Sequence, residues 1–133
     1  MVEWKQKSRR KKSGGINNSI KASTKKLSDR GGTFSKTTID TKDERYKSKS
    51  VGGNTKIKLR KAQSVLISDG PKTYKGKIIN VIENVANKHF VRQRIITKGA
   101  VLTVDVNGKE MKVKVTSRPG QSGNIYAVPY TQK

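Results

Sequence analysis

The feature that most constrains this chain is Asn107-Gly108, set between two alternating runs, VLTVDV before it and KEMKVKV after it. Asn-Gly tolerates the positive φ angles of a type I′ turn, which joins antiparallel strands through only two residues. So short a loop leaves no freedom in the register. Val106 must face Lys109, Val104 Met111, Leu102 Val113 and Ala100 Val115. One face of the predicted ribbon is then nearly all apolar. The other sets Val101, Thr103 and Asp105 against Lys114, Lys112 and Glu110 and reads as solvated. Asp105 opposite Glu110 is a mildly unfavourable pair that the diagonal Lys112 is placed to relieve. A lone hairpin is marginal in water, so further strands must cover the apolar face.

Those strands are legible on both sides of the ribbon. Lys56-Ile57-Lys58-Leu59-Arg60 alternates with period two, and Val65-Leu66-Ile67 runs to a turn at Asp69-Gly70-Pro71. Lys77 to Ile82 is β-branched and strand-like; Asn84-Val85-Ala86-Asn87 reads as a loop or one helical turn. Phe90 to Ile96 reads as a short strand or basic loop, and Asn124 to Val128 as a last strand that Pro129 stops. About six short strands with frequent turns predict a mainly β chain built on a small antiparallel six-stranded β-barrel. Closure removes the exposed edges that so small a sheet could not otherwise cover.

Charge bounds the partners. Thirty-one Lys and Arg against nine Asp and Glu give a net charge of +22 over 133 residues. Self-repulsion of this size opposes compaction unless a polyanion neutralises it. Membrane surfaces, heparin-like sugars and acidic proteins are candidates, but nucleic acid is the commonest reason for such a balance. Residues 1–50 carry +10 with ten apolar residues, and residues 51–133 carry +12 with thirty-one. The chain therefore divides at Gly52-Gly53-Asn54 into a long extended basic tail, 1–50, and a barrel domain, 51–133. The tail cannot offset its ordering entropy alone, so it is expected to be disordered when free and to order by threading between RNA helices.

The tail's cations fall in two groups. Lys5, Lys7, Arg9, Arg10, Lys11 and Lys12 follow the single Trp4 and end at Gly14-Gly15; Lys25, Lys26 and Arg30 precede Gly31-Gly32. On the barrel, Arg92, Arg94, Lys98 and Arg118 come from segments that the hairpin register brings to the end opposite the turn. Arginine's planar fork suits bidentate phosphate contact, and lysine acts as a point charge. Two Phe, four Tyr and one Trp are too few for stacking of splayed bases to dominate. Recognition of the backbone and shape of folded RNA fits better.

Catalysis and metal binding find no support. The chain has no cysteine, and its one histidine, His89, lacks partners at catalytic spacing. Carboxylates are few and scattered, so neither an acid/base pair nor an oxygen-rich metal cage is suggested. Gly120-Gln121-Ser122-Gly123 fails the nucleophile-elbow pattern, since Asn124 stands where glycine is needed, and reads as a glycine-rich turn. Neither Lys98-Gly99 nor Gly52-Gly53-Asn54 fits a phosphate-binding loop. No run reaches transmembrane length and no signal-peptide core follows the N-terminus, so an intracellular protein without cofactor is expected.

Four blocks carry a resemblance: KSRRKKSGG at 7–15, GGNTKIKLRKA at 52–62, ENVANKHFVRQRIITKGA at 83–100 and VTSRPGQSGNIYAV at 115–128. In this order they resemble the small-subunit ribosomal protein family designated eight-e, shared by archaea and eukaryotes, in its shorter archaeal form. The resemblance implies a structural, non-enzymatic constituent of the small ribosomal subunit, with a small β-barrel and a long basic extension. It implies small-subunit rRNA and neighbouring ribosomal proteins as partners, in the cytoplasm, without membrane, small-molecule substrate or homo-oligomer. Carried onto matching positions, Arg9, Arg10, Lys11, Gly14, Gly15, Arg92, Lys98 and Arg118 would contact rRNA. Lys12 stands where archaeal members usually have proline, Arg94 where asparagine is usual, Ser122 where an acid is usual, and Val51 interrupts a basic run. Two rival readings are a general nucleic-acid packaging or chaperone protein and a hydrolase using Ser122.

Overall fold

Residues 2–5, 7–18 and 29–131 are described by a computed structural model, whose contacts separate into two units, Met1–Phe34 and Ser35–Lys133. In the first, β1 (Val2–Trp4) pairs antiparallel with β2 (Arg30–Gly32), placing Glu3 opposite Gly31. The stretch from Arg9 to Asn17 also turns back on itself. Arg10 bridges Ile16, the Lys11 N–H donates to Gly15 O at 2.9 Å, and the Asn17 N–H donates to Arg9 O at 2.7 Å. The described residues here are thus locally paired rather than extended throughout. Backbone ladders need donors and acceptors but no apolar side chains, so composition could not reveal them.

In the second unit, β3 (Thr38–Ile39), β4 (Glu44–Lys49) and β5 (Thr55–Ala62) form a sheet in the order β3-β5-β4. β3 runs parallel to β5, and β4 runs antiparallel to it. Gly52 and Gly53, at φ 76° and 75°, lie in the turn between β4 and β5. The compositional break at Gly52-Gly53-Asn54 is therefore a hairpin tip.

Beyond that sheet, β6 (Ser64–Asp69), β7 (Lys72–Glu83), β8 (Val101–Val106), β9 (Lys109–Val115) and β10 (Tyr126–Pro129) close a barrel in the order β10-β6-β7-β8-β9. Two single-turn helices interrupt it, α1 (His89–Arg92) and α2 (Pro119–Ser122).

The barrel holds five strands, where the sequence suggests six and all antiparallel. β5 leaves the count because it pairs with β3 and β4; Phe90 to Ile96, read as a short strand or basic loop, enters a helical turn instead. Parity then dictates the rest: an odd number of strands cannot close with every neighbour antiparallel. The parallel seam is β10 with β6, Tyr126 opposite Leu66.

The central hairpin keeps the register its turn requires, from Val101↔Lys114 to Val106↔Lys109. Asn107 and Gly108 take φ of 53° and 81°, the two positive angles of a type I′ turn. The Asp105 carboxylate accepts the Gly108 N–H at 2.9 Å, so the turn backbone steadies the charge set opposite Glu110. Leu102, Val104, Val113 and Val115 are buried and join Ile67, Ile78, Val81 and Ala127 in the core. Val101, on the face expected to be solvated, is also buried.

Candidate nucleic-acid interface

At the end of the barrel away from Asn107-Gly108, a row of backbone bonds gathers three loops. The Gly99 N–H donates to Val115 O at 2.8 Å, the Val115 N–H to Ala100 O at 2.9 Å, and the Thr116 N–H to Tyr126 O at 2.9 Å. They hold the Thr97-Lys98-Gly99 turn beside Thr116 to Arg118. Arg118 is the extended residue ahead of α2, whose first helical position is Pro119, where a missing N–H costs nothing. Gly123 at φ 69° ends that turn. Lys98 and Arg118 are both exposed, on loops anchored to neighbouring strands.

Arg92 and Arg94 are set by a different device. Asn84 is 4% exposed, and its side chain clamps both ends of the segment after β7. Its Nδ2 donates to Ile95 O at 3.1 Å, while its Oδ1 accepts from the Thr97 hydroxyl at 2.9 Å and the Ala86 N–H at 3.1 Å. Asn87 Oδ1 accepts the His89 N–H at 2.9 Å and starts α1. Ile95 and Ile96 are buried, and Val91 packs against the core. With the apolar side chains directed inward, Arg92 and Arg94 are left exposed, Arg94 in the left-handed region at φ 52°. His89 is exposed on α1. Sequence reasoning missed Asn84, since an asparagine after a β-branched run looks the same whether it clamps a loop or faces water.

In the first unit, Lys5, Lys7, Arg9, Arg10, Lys11, Lys12 and Arg30 are exposed. The turn centred on Lys12 and Ser13 closes through the Gly14 N–H to Lys11 O at 3.0 Å, and Arg10 Nη1 donates to Gly14 O at 2.9 Å. Gly14 at φ 87° and Gly15 complete this display of four consecutive cations, Arg9 to Lys12. Lys25 and Lys26 lie outside the described residues.

Asp40, Asp43 and Glu44, three of the seven acidic residues of the second unit, gather at the base of the β3-β5-β4 sheet. Lys61 Nζ meets Asp40 at 2.9 Å and Glu44 at 3.7 Å, and Arg60 meets Glu44 at 3.9 Å. The hydrogen bond from Lys61 and its charge hold the Asp40 carboxyl below its usual value, and the hydrogen bond to Asp40 with the charges of Asp40 and Glu44 raises Lys61 above its own. Asp43 sits in a cleft of about 300 Å³ with Arg45, Ser64, Lys75 and Asn124 along its wall. Its carboxylate accepts the Gln63 N–H at 2.7 Å, the Ser64 hydroxyl at 3.0 Å and Arg45 Nη2 at 3.2 Å. Burial pushes the Asp43 carboxyl up, but those hydrogen bonds and the Arg45 charge outweigh it and hold the group below its usual value. Arg45 continues to Gly123 O at 2.8 Å and Asn124 Oδ1 at 3.0 Å. Along the wall of the cleft this polar network forms a brace between β4, the β5–β6 corner and the loop after α2.

Ser122 directs its hydroxyl to the carbonyls of Arg118 at 3.1 Å and Asn124 at 2.9 Å, as a residue that steadies a turn does. Residues 4–128 match the family described as Ribosomal protein S8e. The small ribosomal subunit protein eS8 of Methanococcus aeolicus is 43% identical over 94% of this chain and 94% of its own length. The protein of the same name in Methanosarcina barkeri is 37% identical over 96% and 98%, and that in Methanococcus maripaludis 34% over 99% and 100%.

Proposed function

Because the chain belongs to the ribosomal protein S8e family, a family of structural components rather than enzymes, we propose that it binds and braces small-subunit rRNA through phosphate-backbone contacts. The observation that carries this reading is the family match over residues 4–128, with relatives named as small ribosomal subunit proteins. Its partners are then the rRNA and the ribosomal proteins beside it, in the cytoplasm, as a single copy with no membrane or small-molecule ligand.

The basic N-terminal portion, residues 1–50 by composition, supplies the tail contacts through Lys5, Lys7, Arg9 to Lys12, Gly14, Gly15, Lys25, Lys26 and Arg30. Residues 51–133 supply Arg92, Arg94, Lys98 and Arg118. Exposure of these barrel cations on loops held by Asn84 and by the strand ends supports the reading, since a loop already held in place loses less entropy on binding phosphate.

The test is a hydroxyl-radical footprint on small-subunit rRNA combined with a salt titration. Discrete protected segments are expected, with affinity falling steeply with salt at a log–log slope of roughly −0.7 to −0.9 per phosphate neutralised. Equal protection of any duplex would replace this function with general packaging.

A further inference from the structure

The β4–β5 hairpin carries more charge than its own sheet uses. From Glu44 to Ala62 it has seven Lys and Arg against a single acid, yet the proposed rRNA contacts draw on none of them. Every ion pair among its described residues lies at its base, on Arg45, Arg60 and Lys61. Farther out, Lys47, Lys49, Lys56 and Lys58 make no ion pair among the described residues; Lys56 reaches only the neutral Gln121 Oε1 at 3.3 Å.

Register sorts these four lysines. Lys47 faces Ile57 and Lys49 faces Thr55, whereas Lys56 faces Ser48 and Lys58 faces Tyr46. Side chains alternate across a strand, so Lys47 and Lys49 stand on one face of the ribbon and Lys56 and Lys58 on the other. Within each pair the spacing is two residues, about 6.6–6.8 Å along a strand, comparable to the separation of successive phosphates. β3 pairs with β5 only at Lys61 and Ala62, so over this distal part β4 and β5 form a two-stranded ribbon, flanked at Lys56 and Ile57 by Gln121 and Gly123 of the α2 segment. Its tip is made by Gly52 and Gly53, which add no side chain to its width. A surface meant to lie on one wall would need cations on one face only.

We propose that the β4–β5 hairpin is a separate rRNA-binding element that inserts between two phosphate backbones, Lys47 and Lys49 contacting one and Lys56 and Lys58 the other. The inference rests on the rRNA-binding reading above and adds a site to it.

The experiment compares the full-length protein with two face variants, Lys47→Gln/Lys49→Gln and Lys56→Gln/Lys58→Gln, and with their fourfold combination. Each is bound to small-subunit rRNA over a salt series and footprinted, with melting temperatures recorded for every protein. The fourfold variant should melt like the parent and lose about three from the salt slope, at roughly 0.7–0.9 per charge. Each face variant should lose protection of one backbone stretch, a different one for each face. A parent-like slope and footprint in the fourfold variant would overturn the inference and leave the rRNA-binding reading standing. Loss of the same stretch from both face variants would overturn the two-sided insertion. Intact footprints with lost retention of a neighbouring protein in reconstituted subunits would reassign the ribbon to protein docking. A parent protein with no discrete footprint would overturn the reading itself and this inference with it. The chain contains no cysteine, so a cleavage reagent tethered at Thr55→Cys offers an independent check by cutting rRNA on both sides of the ribbon.

Discussion

Gly76 of β7 lies directly against Val104 of β8: a methyl group at Gly76 would overlap Val104 Cγ1 and come within 3.0 Å of Val106 Cγ2 and 3.1 Å of Asp105 O. Glycine inside a long strand weakens it locally, but here it lets the side chains of β8 approach the β7 backbone closely. Gly76→Ala is expected to cost about 1–3 kcal/mol by overpacking. Urea midpoints of Gly76→Ala, Val104→Ala and the double variant check this. The double variant should cost less than the two singles together, and simple additivity would contradict the contact.

Asp43 governs a pH dependence whose sign follows from its lowered pKa. The group ionises more readily in the folded chain than at its ordinary value of 3.8, so its contribution is present above about pH 4 and lost as pH falls through the folded value. Asp43→Asn keeps an acceptor oxygen for Gln63 N–H but removes the charge facing Arg45. At neutral pH the variant should be less stable by about 1–3 kcal/mol. Between pH 5 and the folded value the gap to the parent should narrow. A constant gap across that range would show that the Asp43 charge is not what the network uses.

Asn84 holds the segment from which Arg92 and Arg94 project. Asn84→Ala leaves the Thr97 hydroxyl and Ile95 carbonyl without their partner and is expected to cost about 1–3 kcal/mol. Hydrogen exchange should quicken across residues 85–97 before the hairpin of β8 and β9 is affected. Uniform acceleration throughout the barrel would point to a global rather than a local role.

Arg94 occupies the left-handed region at φ 52°, which costs a side-chain-bearing residue about 1–2 kcal/mol. Arg94→Gly should therefore raise the melting temperature by an amount corresponding to about 1 kcal/mol, with Arg94→Asn giving a smaller gain. Removing the guanidinium should at the same time weaken rRNA binding and flatten its salt slope. A glycine variant that is less stable would mean the Arg94 side chain packs in a way its exposure does not suggest.

Asn107-Gly108, with its alternating flanks, determined the register and turn type of the hairpin, which follow from local φ preference and the period of two. Composition marked the cation-rich segments but not the pairing of β3 and β4, which lie within the first fifty residues, with β5. Tertiary structure alone decided the strand count, since Leu59 and Ala62 read as core in either a sixth barrel strand or a flanking sheet. It also decided the helical turn at His89–Arg92, where the Asn87 side chain accepts the His89 N–H and Asn84 clamps the segment after it. The buried side of Val101 and the close approach at Gly76 belong to the same class. The strand count, the burial of Val101 and the Gly76 contact depend on partners distant in sequence, and neither periodicity nor charge says which distant partner a strand will meet.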